Sequence, residues 1–463
     1  MAFRSPSSSS PVDRVRLASL LDAERTTYAG KHRRSAELYA EADHLFGRVP
    51  MTWMNMWSGG FPLYLDRAWG NRVVDVDGHE YVDFAMGDTG AMAGHTPRAT
   101  IDAVTARMAD LGGITTMLPT ADAEWVGSEL SRRFGLPLWS FTLTATDANR
   151  WAIRIARMVT GRPKILTFAY CYHGSVDETF AVPGPDGTAV ARPGLVGAPV
   201  PLAETTRVAE FNDLAGVEEQ LRHGDVAAIL TEPALTNIGI VLPEPGFLVG
   251  LRELATRYGA LLMIDETHTF SAGAGGATTL WDLEPDIFVI GKSIGGGIPS
   301  GAYGITREVA AGASGHPDAD LVDVGGVGGT LAGNALSVTA MRATLEHVLT
   351  PTAFERMVSL AADFTAGVQS TLDETGVPWS VSRLGARAEY RFASPAPRTG
   401  SESAASADEQ LDEYLHMFMA NRGVLVTPFH NMALMCPDTS AEDVALHTRL
   451  FREAVSALTV GPS

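Results

Sequence analysis

The chain has 463 residues, of which 45% are hydrophobic and 19% charged, a globular balance with material for more than one core. Its formal net charge of -19 repels phosphate backbones and anionic lipid surfaces, which excludes nucleic-acid binding through a basic face. The two cysteines, Cys171 and Cys436, provide neither a disulfide framework nor a thiolate metal site, and no run reaches the ~18–20 apolar residues of a membrane span.

Residues 1–45 read as a tail, with no apolar signal segment over Met1–Pro11, followed by a polar helix; a soluble, cytoplasmic protein is expected. Pro62–Leu65 and Val73–Asp77 lead through Asp77-Gly78 into Glu80–Phe84, an apolar–turn–apolar pattern that predicts a hairpin. Trp139–Ala145 reads as a strand. Asp147–Val159 reads as a helix, with Ala148, Trp151, Ala152, Ile155 and Val159 on one face. Lys164–Ala169, Val226–Thr231, Ala260–Asp265 and Asp286–Ile290 are further strands, and Phe247–Tyr258 a helix closed by Gly259. The Gly/Pro-rich run Pro183–Pro201 reads as a long surface loop. Continuous apolar strands separated by helices predict an α/β fold with a mostly parallel, doubly wound sheet. The expected domains are 1–85, packing with a small C-terminal domain; 86–344, the large sheet domain; and 345–463, a smaller α+β domain with a flexible insertion over Ser394–Ala407.

Arginine supplies nearly all the positive charge: lysine occurs only at Lys31, Lys164 and Lys292. Lys31 lies in a basic surface run and Lys164 in a turn before a strand. Lys292 ends the apolar run Ile287–Gly291 and precedes Gly295-Gly296-Gly297, a poor place for a decorative charge. Gly291-Lys292-Ser293 also invites a phosphate-loop reading, but that motif wants a glycine where Asp286 stands. In a doubly wound sheet, ligands collect at the carboxyl ends of strands. Asp265 closes one strand, Lys292 another, and Thr144-Ala145-Thr146 ends a third and opens a helix. An acid, an amine and a helix N-terminus are what pyridoxal 5′-phosphate needs. The amine condenses with its aldehyde, the acid keeps its ring nitrogen protonated, and the helix end holds its phosphate. Each piece alone is weak, since strand-end aspartates usually cap turns and strand-end lysines usually snorkel to the surface.

Further motifs carry a resemblance. Asp75–Asp83 and Gly94-His95, Trp151–Arg157 through Gly161-Arg162, Cys171-Tyr172-His173-Gly174, Thr231-Glu232-Pro233, Ile264-Asp265-Glu266, Gly291-Lys292 and Gly329–Asn334 together resemble class III aminotransferases of PLP fold type I. The chain is similar to glutamate-1-semialdehyde aminomutases and their aminotransferase relatives from about Pro62 to Val460. The resemblance implies that Tyr172 stacks on the cofactor ring with His173 beside it, and that Glu232 lies near the phenolic oxygen. It also implies that Thr330 reaches the phosphate in a partner subunit, hence a homodimer with shared sites.

Departures from that pattern shape the functional expectation. Thr144-Ala145-Thr146-Asp147 stands where the family usually has Ser-Gly-Thr-Glu; Ala145 can still offer its N–H to phosphate if its φ is negative. Thr267 replaces the valine beneath the ring, and His268 follows it, placed either against substrate or in ordinary packing. The aminomutases carry an arginine for the substrate carboxylate before the opening strand, where this chain has Met51–Trp57. Trp53, Met54 and Trp57 there suggest an apolar pocket, and Arg48 or Arg387, surface arginines by default, remain to meet a carboxylate. The expected reaction is therefore a ping-pong aminotransfer from a hydrophobic amine or β-amino acid to a keto or aldehyde acceptor, with Lys292 as base and acid and Asp265 supporting the ring. The alternatives are an aminomutase acting on one substrate and a non-catalytic PLP-binding sensor. No metal is expected.

Overall fold

A computed structural model describes residues 12–196, 200–315 and 326–459, so the tail over 1–11 and the centre of the 183–201 run lie outside the described residues. One unit comprises Thr89–Arg356 with Pro397–Ala405. It contains seven strands: β1 (Leu138–Thr142), β2 (Lys164–Phe168), β3 (Thr206–Ala209), β4 (Val226–Thr231), β5 (Leu261–Asp265), β6 (Ile287–Gly291) and β7 (Gly301–Ile305). Their order in the sheet is β1-β7-β6-β5-β4-β2-β3. All run parallel except β7, which is antiparallel to β6 and β1. The carboxyl ends of β1, β5 and β6 therefore share one edge.

Burial on both faces explains the uninterrupted apolar runs: every residue of β4 and β6 is buried. Helix α1 (Ala145–Thr160) covers one face, where Ala148, Ala152, Ile155 and Ala156 join a cluster with Leu230, Met263, Ile287 and Val289. On the other face Phe288 meets Phe134, with ring centroids 4.5 Å apart. Each such fully buried aliphatic or aromatic side chain contributes about 1.5–3 kcal/mol of transfer free energy.

Three segments differ from the sequence reading. The first strand stops at Thr142, and the helix begins at Ala145. The Thr142 hydroxyl donates to the Thr144 carbonyl (2.7 Å), and Thr144 Oγ1 caps the helix by accepting from the Asp147 N–H (3.2 Å). The 183–201 run is not all loop, because Ala181–Pro183 pairs antiparallel with Ala189–Ala191. Asp186 Oδ1 pins the intervening turn by accepting from the Thr188 N–H at 3.1 Å. The 394–407 stretch is ordered rather than flexible. It forms a helix over Gly400–Ala405, and Asn212 Nδ2 donates to the Arg398 carbonyl at 2.8 Å. Gly400 lies so near Ala169 that a Cβ there would sit 3.0 Å from that residue's carbonyl carbon and overlap its oxygen.

The other unit comprises Met1–Asp88, Met357–Ala396 and Ser406–Ser463. Its four-stranded sheet includes the expected hairpin, Arg72–Asp75 against Glu80–Asp83, with Val73 opposite Tyr81. Asp75 holds the turn, Oδ1 accepting from the backbone N–H groups of Asp77 (3.0 Å) and His79 (2.8 Å). Asp75 Oδ2 lies 3.2 Å from His79 Nδ1, and the Tyr81 hydroxyl lies 2.7 Å from Asp75 Oδ2 and 2.8 Å from His32 Nε2. A second sheet joins Ser380–Leu384, Arg387–Arg391 and Met432–Leu434. Among the described residues, no helix is long and apolar enough to cross a membrane.

Candidate active site

Lys292 follows the last residue of β6 with φ +52°, in the left-handed region. A lysine held there costs on the order of 1–3 kcal/mol, and such strain concentrates where a side chain must be aimed. Nζ lies 2.9 Å from His268 Nε2, and His268 Nδ1 lies 2.9 Å from Thr89 Oγ1. The other two lysines have structural partners: Lys31 Nζ donates to the Asn421 carbonyl (2.6 Å), and Lys164 pairs with Asp225 at 3.1 Å.

Asp265 ends the adjacent strand β5 and is buried, its carboxylate ringed by donors. Oδ1 accepts from the Thr267 N–H (3.0 Å) and hydroxyl (2.6 Å); Oδ2 accepts from Asn149 Nδ2 (2.8 Å) and His173 Nδ1 (2.9 Å). Burial alone would raise its pKa, but the hydrogen bond and charge of His173, with Thr267 and Asn149, hold it below the ordinary carboxylate value. Burial likewise opposes the charge on His173, and Cys171 and Asp265 overcome it and raise that imidazole well above its usual value. Asp265 is thus a fixed anion.

Helix α1 opens beside them. Ala145 is its first residue, so its backbone is helical and its N–H, with that of Thr146, belongs to the unpaired first turn that attracts anions. The loop bearing Tyr172 and His173 lies against that turn, where the Ser175 N–H donates to Thr146 Oγ1 at 3.1 Å. Gly174, at φ +79°, permits this approach: a Cβ would sit 2.9 Å from Thr146 Cα and overlap its hydroxyl. Tyr172 is half-buried, its ring 6.3 Å from Phe180. Glu232, just past β4, is buried and accepts from the Thr236 hydroxyl.

Asp265, Thr267, His173, His268 and Lys292 thus gather at one sheet edge beside the Thr144–Thr146 turn. Thr330 is exposed and lines a cavity of about 310 Å³ with Met117, Leu118 and Asn334. The remaining candidates belong to the other unit. There Trp53 and Met54 are exposed in a short helical turn over Thr52–Met56, Trp53 packing edge-on against Phe429 with centroids 5.3 Å apart, and Trp57 follows half-buried. Arg387 is not a surface arginine. It is fully buried in the strand Arg387–Arg391, where its charge helps to hold Glu389 below the ordinary carboxylate value.

Two contributors escaped the sequence reading. Asn149 looks like a routine helix position, yet its Nδ2 bridges Asp265 and the His173 carbonyl (3.1 Å). Thr89 lies far from the strand ends in sequence, and only its backbone, at φ +79°, marks it as unusual.

The donor set fits pyridoxal 5′-phosphate: a buried ionised carboxylate for the ring nitrogen, an aimed amine for the aldehyde, and a glycine-permitted cradle at a helix start for the phosphate. The profile of Aminotransferase class-III matches residues 53–452. A glutamate-1-semialdehyde 2,1-aminomutase of Sorangium cellulosum is 34% identical over 404 residues, 86% of this chain and 90% of that protein. A lysine-to-alanine variant of a Pseudomonas aeruginosa glutamate-1-semialdehyde aminomutase, solved in complex with PMP, is 48% identical with a TM-score of 0.93, over 97% of this chain and 100% of that one. An omega-transaminase from Sphaerobacter thermophilus is 30% identical with a TM-score of 0.83, over 92% and 97%. The expected two-substrate transamination is corrected by these likenesses. The aminomutases are more similar than the transaminase, and the missing arginine in Met51–Trp57 was too local a signal to outweigh similarity along the whole chain.

Proposed function

The chain belongs to the class III aminotransferase family and takes pyridoxal 5′-phosphate as its cofactor, and on that premise we propose that it is an isomerase of the glutamate-1-semialdehyde 2,1-aminomutase type. The reaction moves an amino group between neighbouring carbons of one substrate, so no separate amino acceptor is needed. Similarity to an aminomutase across nearly the whole chain carries this reading.

The cofactor, when bound, supplies an electrophilic carbonyl carbon and a ring that withdraws electrons from the carbon losing a proton. Lys292 Nζ would anchor it and, once released, act as the base and acid that removes and returns a proton at the substrate carbon bearing the amino nitrogen. Asp265 stays ionised and keeps the ring nitrogen protonated, while Asn149, His173 and Thr267 fix the carboxylate in place. The N–H groups of Ala145 and Thr146 would bind its phosphate, and Tyr172, Thr267 and Glu232 would help to hold its ring. A homodimer completes the site through Thr330. In support, Leu111, Met117 and Leu118 are 69%, 80% and 71% exposed, with the latter two beside Thr330, and an apolar patch of that kind calls for cover by a second copy. Cys171 and Cys436 are both buried free thiols and suit the reducing cytoplasm.

The test supplies glutamate-1-semialdehyde as sole substrate, with no other aldehyde or keto acid added. Steady conversion to the isomer with its amine on carbon 1 supports the proposal. Turnover that stalls after one equivalent until an acceptor is added overturns it.

A further inference from the structure

Lys292 must lose a proton before it can attack a carbonyl, because an ammonium has no lone pair. Beside it the structure holds a hydrogen-bonded chain of two side chains. The Thr89 hydroxyl lies 2.9 Å from His268 Nδ1, and His268 Nε2 lies 2.9 Å from Lys292 Nζ. Both ends of that chain are held at a backbone cost. Thr89 has φ +79° and Lys292 φ +52°, and a β-branched residue in the left-handed region is a genuine outlier. His268 itself is buried, only 8% exposed, three residues beyond Asp265 on the segment leaving β5. A strained threonine and a buried imidazole thus line up on the amine of a strained lysine.

We propose that His268 is a positioning and proton-exchange residue for Lys292, with Thr89 setting its tautomer; this rests on Lys292 being the residue that anchors the cofactor. With a hydrogen on Nδ1, His268 donates to the Thr89 oxygen and turns the Nε2 lone pair toward the Lys292 ammonium. One Nζ–H bond then breaks and one Nε2–H bond forms. The single positive charge moves from lysine to imidazole, and Nζ gains the lone pair it needs for attack, now accepting from Nε2–H. The reverse transfer recharges the amine. No electrons change hands and no other reactant is consumed. His268 needs to touch neither substrate nor cofactor for this role, which distinguishes it from a substrate contact.

The experiment measures how fast cofactor-free protein captures two ligands. Pyridoxal 5′-phosphate must be attacked by Nζ, whereas pyridoxamine phosphate has no aldehyde and binds without that bond. His268→Gln keeps an amide that can hydrogen-bond but cannot take a proton, and His268→Ala leaves space for added imidazole. Both substitutions are expected to slow covalent capture of pyridoxal phosphate on the order of a hundredfold. They should leave pyridoxamine phosphate affinity unchanged, and imidazole should restore capture in the alanine variant. Unchanged capture overturns the proposal. So does equal weakening of both ligands without imidazole rescue, which marks a packing role. Borohydride trapping and peptide mapping run alongside. An adduct away from Lys292 removes the anchoring premise itself, whereas an adduct on Lys292 with unslowed capture removes only the role of His268.

Discussion

Asp265→Asn removes one charge and almost no volume. The carboxylate accepts four hydrogen bonds, two on each oxygen. An asparagine that keeps its oxygen toward Thr267 turns its own N–H₂ toward Asn149 Nδ2 and His173 Nδ1, setting donor against donor. Losing two hydrogen bonds that end on an ionised carboxylate costs about 3–6 kcal/mol. The cost depends on pH with a defined sign. Asp265 has a lowered pKa, so its contribution is present above its unfolded value of about 3.9 and fades as pH falls through its folded value. His173 has a strongly raised pKa, so its contribution is full below its unfolded value of about 6.5 and fades as pH rises through its folded value. Urea midpoints of the cofactor-free parent and variant, taken across pH, should therefore differ most between about pH 4 and 6.5 and converge on either side. Turnover of the loaded variant should fall on the order of a thousandfold, because a neutral amide cannot hold the ring nitrogen protonated. A stability gap that is flat in pH, or near-parental turnover, would refute this placement of Asp265.

Lys292→Ala should abolish turnover while leaving pyridoxamine phosphate binding measurable by absorbance, since phosphate and ring contacts survive. Gly174→Ala should weaken cofactor affinity and lower the thermal midpoint together, at a cost of about 1–3 kcal/mol for forcing a Cβ onto Thr146; an unchanged dissociation constant would contradict the cradle. Asn149→Ala should cost about 1–3 kcal/mol and reduce turnover by loosening Asp265, read as a fall in kcat at constant KM. Thr330→Ala should weaken cofactor retention without changing the sedimentation of the expected homodimer, and an active, fully loaded monomer at assay concentration would contradict the shared site.

The strand ends were legible because parallel strands buried on both faces must read as unbroken apolar runs, as at Ile287–Gly291, and whatever polar residue closes such a run stands out. The scarcity of lysine sharpened that contrast at Lys292. Asn149 and Thr89 were not legible, since one acts from a helix interior and the other through a φ that no residue type announces. Arg387 misled for a different reason: a strand reading Arg-Ala-Glu-Tyr-Arg looks solvent-facing, yet every residue in it is buried. The insertion over 394–407 misled through composition. Serine, alanine and proline suggest flexibility, but a hydrogen bond from Asn212 and the close approach of Gly400 to Ala169 fix it in place. The reaction type was read from a seven-residue departure, and a local absence of arginine cannot outweigh a whole-chain likeness.

Every role assigned to this site hangs on which amine carries the cofactor. Reduction of the loaded protein with borohydride, digestion and mass mapping of the phosphopyridoxyl peptide decide it in one measurement. The account predicts a single modified peptide carrying Lys292, lost in Lys292→Ala. A phosphopyridoxyl group on Lys31 or Lys164 instead would contradict it, because those amines are bound to Asn421 and Asp225.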